Sequence, residues 1–109
     1  MEIANIPFQT VDWTAAEQSE QAGEIGTAQW QTQYVGNIRL RKVNFTAGYR
    51  ADTWCSKGHV VLCLEGHLHT EFADGRSFEL SAGECFVVAD NSNPHKSSTA
   101  SGAKLFIVD

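Results

Sequence analysis

The chain has 109 residues, which is the length of one domain and is enough to bury a core without disulfide or metal staples. Its formal net charge is −5 and its eight lysines and arginines are scattered, so the composition excludes a nucleic-acid surface and a basic membrane-binding patch. The longest apolar run, residues 60–64, is too short to span a bilayer. The first residues lack the basic and apolar regions of a signal peptide, and three irregularly spaced cysteines are an odd number, so we predict reduced thiols in a cytoplasmic protein.

Residues 1–24 are predicted to form an N-terminal arm and loop outside the barrel. A short extended piece comes first, and a polar stretch follows in which Asp12 could cap a single helical turn. No long helix is expected there. The remaining residues, 27–109, are predicted to form the barrel of a single domain that covers residues 1–109.

From residue 27 onward the sequence alternates between strand and turn patterns. The predicted strands are residues 27–34, 38–45, 51–55, 59–65, 67–72, 77–80, 85–89 and 105–108. Asp74-Gly75 is the strongest hairpin signal, Glu65-Gly66 predicts a tight turn, and residues 90–94 predict a long polar loop. Residues 59–65 are almost continuously apolar, which is typical of a strand buried on both faces. Short, evenly spaced strands without a convincing helix indicate an all-β sandwich or barrel.

The residues that could carry chemistry lie between positions 53 and 95. Thr53 and Cys55 are two residues apart, so they share one face if the segment is extended. His59 follows beyond a glycine turn, and His95 lies after the polar loop. Thiolate and imidazole are ligands that zinc, iron, copper and nickel accept. The pattern therefore predicts a metal pocket that contains Cys55, His59 and His95.

These positions resemble the two motifs of the cupin superfamily. Residues 53, 55, 59 and 66 reproduce the spacing of the first motif, with Thr53 and Cys55 where two histidines are usual and His59 where a glutamate is usual. Gly83 and His95 match the opening glycine and the histidine of the second motif. The resemblance implies an antiparallel double-stranded β-helix, the cupin jelly roll, in which Cys55, His59 and His95 bind a divalent transition metal such as zinc, iron or nickel.

The sequence is also similar to a group of small bacterial cupins named for an Asp-His-Cys-Trp motif, for which no activity is established. The Ile-Pro-Phe-Gln-Thr opening at residues 6–10 and the Lys-Gly-His run at residues 57–59 carry this similarity. In that group we would expect histidine at position 53. Thr53 is a poor metal ligand, so we predict that its hydroxyl faces the pocket and contacts a bound ligand or water.

Other polar residues have a structural interpretation beside the functional one. His67 and His69 share a strand face; they could form a second metal pair, but an exposed hairpin face is the favoured interpretation. Cys63 and Cys85 are both predicted to belong to the core.

Two arginines on the second predicted barrel strand leave a similar choice. Arg39 and Arg41 share a face that could bind a carboxylate, although a solvated outer face is favoured. Asp52 is close to the candidate ligands in sequence but falls on the opposite strand face, so no general acid or base is predicted.

Two functions remain open at this point. The first is a metal-dependent enzyme that acts on a small polar molecule, and the second is a non-catalytic cupin that binds a small molecule or a metal at a degenerate site. A purely structural domain fits the three candidate ligands least well. The apolar side chains of Ile3, Ile6 and Phe8 predict a homodimer formed through the N-terminal arm or through an apolar sheet face.

Overall fold

The fold was analysed in a computed structural model that describes residues 1–109. It is all-β and antiparallel, as predicted, with one short 3-10 helix at Trp13–Ala15. Asp12 caps that helix, since its Oδ1 accepts a hydrogen bond from the Thr14 amide at 3.0 Å. The strands are β1 (Glu17–Ala22), β2 (Thr27–Val35), β3 (Ile38–Phe45), β4 (His59–Phe72), β5 (Ser77–Ser81), β6 (Cys85–Val88), β7 (His95–Ser98) and β8 (Ala103–Val108). No helix of the structure is long and apolar enough to cross a membrane.

The long strand β4 joins two sheets. Its first half pairs with β8 on one side and with β6 on the other, and β8 continues the first sheet through β3 and β2 to β1. Its second half pairs with β5 and β7 in the second sheet. One strand shared by two sheets folds the chain into a jelly roll, with the core between the sheets.

The bend in β4 lies where the sequence predicted a tight turn. β4 is one strand and not two, because the chain passes through a register shift between Cys63 and Glu65 and continues in the second sheet. Gly66 follows the shift with φ +77°, and a Cβ there would overlap the carbonyl oxygen of Gly102. Glycine is therefore required at this corner both for its backbone conformation and for the close approach of another chain segment.

The N-terminal segment contributes a strand that the sequence did not reveal. Residues 17–22 were predicted as loop, but β1 pairs with β2 from Glu17 opposite Thr32 to Ala22 opposite Thr27. All six residues of β1 are exposed, so its sequence lacks the alternation that marks a half-buried strand. The predicted boundary between arm and barrel at residues 24–27 is therefore wrong, because β1 belongs to the sheet.

Two further predictions fail close to the candidate site. Residues 51–55 do not form a strand, and only the flanking Arg50 and the last residue Cys55 make isolated bridges. His95 begins strand β7, whereas the sequence placed it after a polar loop with no strand of its own. The alternation at residues 51–55 is too short to define a strand, and β7 is too short and too polar for a period of two residues to identify it.

The core is a cluster of buried side chains from both sheets, among which Phe45 stacks on Tyr49 with ring centroids 4.3 Å apart. Cys63 lies in this cluster, as predicted, but Cys85 is exposed, so its assignment to the core was wrong. Leu64 is 42% exposed, which shows that the first half of β4 is not buried on both faces. On β8, alternate residues Ala103, Leu105 and Ile107 face the core.

The N-terminal arm lies along the turn between β2 and β3. Asn37 donates a hydrogen bond from Nδ2 to the carbonyl oxygen of Glu2 at 2.6 Å, while Ile3 and Phe8 remain exposed. Phe8 is 96% exposed, which makes it the best-placed apolar side chain for contact with a second copy. We expect light scattering at micromolar concentration to show a dimer, and a Phe8→Ser variant to shift toward the monomer. A monomeric wild-type protein would contradict the homodimer.

Candidate metal centre

A cavity of about 200 Å³ is lined by residues of β2, β3, β4, β6, β7 and β8. About half of the 17 residues that line it are aromatic or aliphatic, and the rest are polar or charged. Arg41, Cys55, His59 and His95 are lining residues, and so are the more peripheral Asp52, Thr53 and Lys96. The cavity therefore combines an apolar wall with several groups that can bind a metal or a polar ligand.

Backbone hydrogen bonds hold the three candidate ligands in place. Cys55 and His95 form a reciprocal pair, in which the Cys55 amide donates to the His95 carbonyl at 2.8 Å and the His95 amide donates to the Cys55 carbonyl at 2.9 Å. The amide of Gly58, next to His59, donates to Asp90 Oδ1 at 2.7 Å. A Cβ at Gly58 would lie 2.5 Å from the Asp90 amide nitrogen, so this contact requires glycine.

The side chains converge, as the spacing predicted. One donor atom from each of Cys55, His59 and His95 lies within 4.8 Å of the others. The two Nε2 atoms of His59 and His95 are 2.9 Å apart. His95 Nδ1 lies 2.9 Å from the carbonyl oxygen of Asn93, to which it donates in the neutral ring, so its Nε2 carries a lone pair directed at the group. Zinc–nitrogen bonds of about 2.0–2.1 Å and a zinc–sulfur bond of about 2.3 Å are compatible with donors this close.

A buried carboxylate lies behind His59. Asp109, with its side chain 1% exposed, has its Oδ2 3.5 Å from His59 Nδ1. Its Oδ1 and Oδ2 accept from Arg39 at 2.8 and 2.9 Å, and Oδ2 also accepts from Arg41 at 3.0 Å. A carboxylate beside the second nitrogen of a ligating histidine orients the ring and fixes its tautomer.

The prediction of a solvated face for Arg39 and Arg41 is wrong. Both guanidinium groups bind Asp109, and the Arg41 side chain is only 15% exposed. The signal was present in the sequence, because Arg39 and Arg41 share the face of β3 that carries the buried Val43 and Phe45. Asp109 was not singled out, although it continues the inward-facing series 103, 105, 107 on β8.

The environment sets the protonation of the three candidate ligands. Burial and the neighbouring His95 lower the pKa of His59 to about 4, so its ring is neutral at pH 7. The interaction between Cys55 and His95 lowers the pKa of the thiol and raises that of the imidazole, because each charged form stabilises the other. Proton loss from the thiol is thus favoured at this site, and the thiolate is the form that binds a metal.

The remaining candidate residues lie around this site or away from it. Thr53 and Asp52 both line the same cavity, and both are exposed. The strand pattern had placed Asp52 on the opposite face. His67 and His69 lie on the second sheet; His67 Nδ1 is 3.3 Å from Ser81 Oγ, and His69 Nδ1 is 3.6 Å from Glu79 Oε1. His67 and His69 do not belong to a group of three possible metal ligands, which is consistent with their assignment to a hairpin surface.

Solved structures support the fold. The sequence matches no family model and no curated protein. An RmlC-like cupin from Shewanella frigidimarina aligns with a TM-score of 0.71 and 19% identity over 94% of this chain and 90% of that chain. Protein NMB1881 from Neisseria meningitidis aligns at 0.62 with 24% identity, over 73% of this chain and 80% of that one. The polyketide cyclase RemF from Streptomyces resistomycificus aligns at 0.74 with 16% identity, over 93% and 78%.

The chain therefore has the cupin fold, a jelly-roll barrel. Its Cys-His-His group could bind one metal ion. Cupin structures similar to this chain include enzymes, such as the polyketide cyclase, and a cupin domain of Cnp3 from Schizosaccharomyces pombe. The fold alone does not assign an activity, because one fold hosts many functions.

Proposed function

We propose that the chain binds one divalent transition metal through Cys55, His59 and His95 and uses it to act on a small polar molecule in the cavity. The observation that carries this proposal is the convergence of one thiol and two imidazoles, with all three donor atoms within 4.8 Å. One sulfur and two nitrogen donors suit zinc, iron(II) or nickel better than calcium or magnesium.

The hydrogen-bond partners of the two histidines also support metal binding by this group. His95 uses Nδ1 to donate to Asn93, which leaves Nε2 for a metal. His59 Nδ1 is buried without a hydrogen bond of good geometry and lies 3.5 Å from Asp109. When His59 Nε2 binds a metal, Nδ1 carries the proton and donates toward that carboxylate, so binding improves an otherwise poor contact.

Three protein ligands would leave positions on such a metal for water or substrate, and the metal would supply Lewis-acid chemistry there. The protein contributes the aromatic and aliphatic part of the cavity wall and the exposed Thr53 hydroxyl. Threonine in place of a fourth ligand also fits the alternative function, a non-catalytic cupin that binds a metal or small molecule at a degenerate site.

Metal titration tests the proposal. We expect zinc to bind the wild-type protein with one-to-one stoichiometry, and a Cys55→Ser, His59→Ala double variant to lose at least about 100-fold in affinity, since losing an outer-shell partner alone costs about 10–100-fold. A Thr53→His variant should bind more tightly because it adds an imidazole at the cavity. Isothermal titration calorimetry with zinc, nickel and iron(II) measures each affinity.

A matched control makes the same chemical changes away from the cavity. The double variant Cys85→Ser, His67→Ala removes one exposed thiol and one exposed imidazole, and it should bind zinc as the wild type does. If neither double variant weakens binding, or if the wild type binds none of the three metals, the metal proposal is wrong.

A further inference from the structure

The wall of the cavity contains two buried N–H donors that have no acceptor. They are Arg41 Nε and Trp30 Nε1, and both side chains line the cavity that holds the candidate metal ligands. The two groups are neighbours, because the Arg41 guanidinium lies over the Trp30 ring at 4.8 Å from its centroid. Burying a donor without an acceptor costs about 1–3 kcal/mol, so a ligand oxygen that reaches these donors after a small shift of the side chains would be favoured.

The charge of the lining groups favours an anion. Arg41 and Lys96 are the arginine and lysine side chains of the lining, and the exposed Asp52 is its only carboxylate. Lys96 already has a cation–π contact, since its ammonium lies 4.5 Å from the centroid of the exposed Trp54 ring. Arg41 is therefore the cation of the interior, and it retains unused donor capacity after its one bond to Asp109.

The size and polarity of the cavity indicate which class of anion fits it. The volume of about 200 Å³ is below the roughly 300–1,000 Å³ of pockets for drug-sized ligands. Phe45, Tyr49 and Phe86 add aromatic surface to the wall beside Trp30. One interior guanidinium and an apolar wall match a singly charged carboxylate with an apolar body. A phosphate monoester carries up to two charges and calls for more cations than this cavity presents.

We propose that the cavity recognises a small carboxylate, whose oxygens accept hydrogen bonds from Arg41 and from the Trp30 indole. This carboxylate is the chemical class of substrate for the proposed function, and the inference rests on that function for the site and the reaction. Arg41 is shared between Asp109 and the carboxylate, so the same residue ties substrate binding to the group that orients His59.

Benzoate is a suitable probe, and benzamide is its neutral counterpart of nearly equal shape. We expect benzoate to shift the NMR signal of the Trp30 indole N–H, assigned by its loss in Trp30→Phe, and benzamide to bind at least about tenfold more weakly. Arg41→Gln should weaken benzoate binding by about 10–100-fold, the loss of one hydrogen bond to a charged group. Trp30→Phe, which keeps the aromatic wall, should weaken it by a smaller factor. Arg76→Gln, at an exposed arginine of the β4–β5 turn, should leave it unchanged.

Each titration is run with EDTA and again with zinc, which separates this inference from the metal proposal. Arg41-dependent benzoate binding in EDTA supports the carboxylate site even if zinc does not bind. Benzoate binding that requires zinc and is unaffected in Arg41→Gln overturns the inference and leaves the metal proposal standing. Equal binding of benzoate and benzamide, tighter binding of inorganic phosphate than of benzoate, or no binding of benzoate also overturns it. If Arg41→Gln does not fold, the benzoate–benzamide comparison and Trp30→Phe decide the question.

Discussion

Replacing Asp109 with alanine should destabilise the protein by about 3 kcal/mol. The Asp109 side chain is 1% exposed and binds two arginines, so its removal leaves two guanidinium groups without their carboxylate. Breaking a fully buried ion pair from one side costs about 3–5 kcal/mol, and the lower end applies here because Arg39 is 32% exposed. Urea denaturation followed by circular dichroism measures this loss, which is a large part of the stability of a small domain.

Asp74→Ala is the matched control. Asp74 also binds an arginine, at 2.8 Å to Arg76, but both side chains are more than half exposed. Its removal should leave the urea midpoint almost unchanged, because water and salt screen such pairs. Equal effects of Asp74→Ala and Asp109→Ala would contradict the view that Asp109 is a buried anchor.

The effect of Asp109→Ala should be the same at pH 6 and pH 8. Burial alone would raise the pKa of Asp109, but the two arginines outweigh it and hold that pKa below its ordinary value. A carboxyl with a lowered pKa contributes stability above its unfolded pKa and loses it as the pH falls through the folded value. Measurements at pH 6 and 8 therefore compare fully ionised Asp109 with alanine.

The second large effect is a loss of stability in mild acid that is caused by His59. The unfolded imidazole takes up a proton near pH 6.5, whereas the buried ring of the folded protein takes it up at about pH 4. Between these values the unfolded state binds more protons, so the free energy of unfolding falls as the pH is lowered. The shift corresponds to about 2–3 kcal/mol between pH 7 and pH 4 for the metal-free protein.

Comparison of the wild type with His59→Gln isolates this contribution. His95 acts in the opposite direction, since its raised pKa adds stability in acid and loses it as the pH rises through the folded value. Both proteins retain His95, so the difference between their pH profiles in EDTA reports His59 together with its coupling to His95. A His59→Gln profile that falls as steeply as the wild type would show that His59 is not the acid-sensitive group.

The candidate ligands could be found from the sequence because they depend on local spacing. Cys55 and His59 lie on either side of Gly58, and His95 matches the histidine of the second cupin motif although the loop before it is one residue longer than the motif. The structure brings their donor atoms together. Whether they hold a metal stays a prediction that titration tests.

The charged groups behind His59 could not be assigned with the same rules. The sequence placed Arg39 and Arg41 on one strand face, but it did not reveal their partner, which is 68–70 residues away. Only the pairing of β3 with β8 places Asp109 beside them. The acceptor-free donors of Trp30 and Arg41 lie on the neighbouring strands β2 and β3, and only the assembled cavity wall shows that they are buried without acceptors.

The amino-acid sequence by itself determined the fold class, the hairpin at Asp74-Gly75 and the three residues of the candidate metal centre, since each of these depends on alternation, turn chemistry or motif spacing. Tertiary structure decided that β4 continues through Gly66 from one sheet into the other, because the register shift and the close approach of Gly102 exist only when the sheets are assembled. It also decided that exposed β1 is a strand, because its partner β2 and not its own apolar pattern stabilises it. Local sequence patterns indicate which side chains are buried, whereas the pairing of distant strands determines which charged groups are buried beside them.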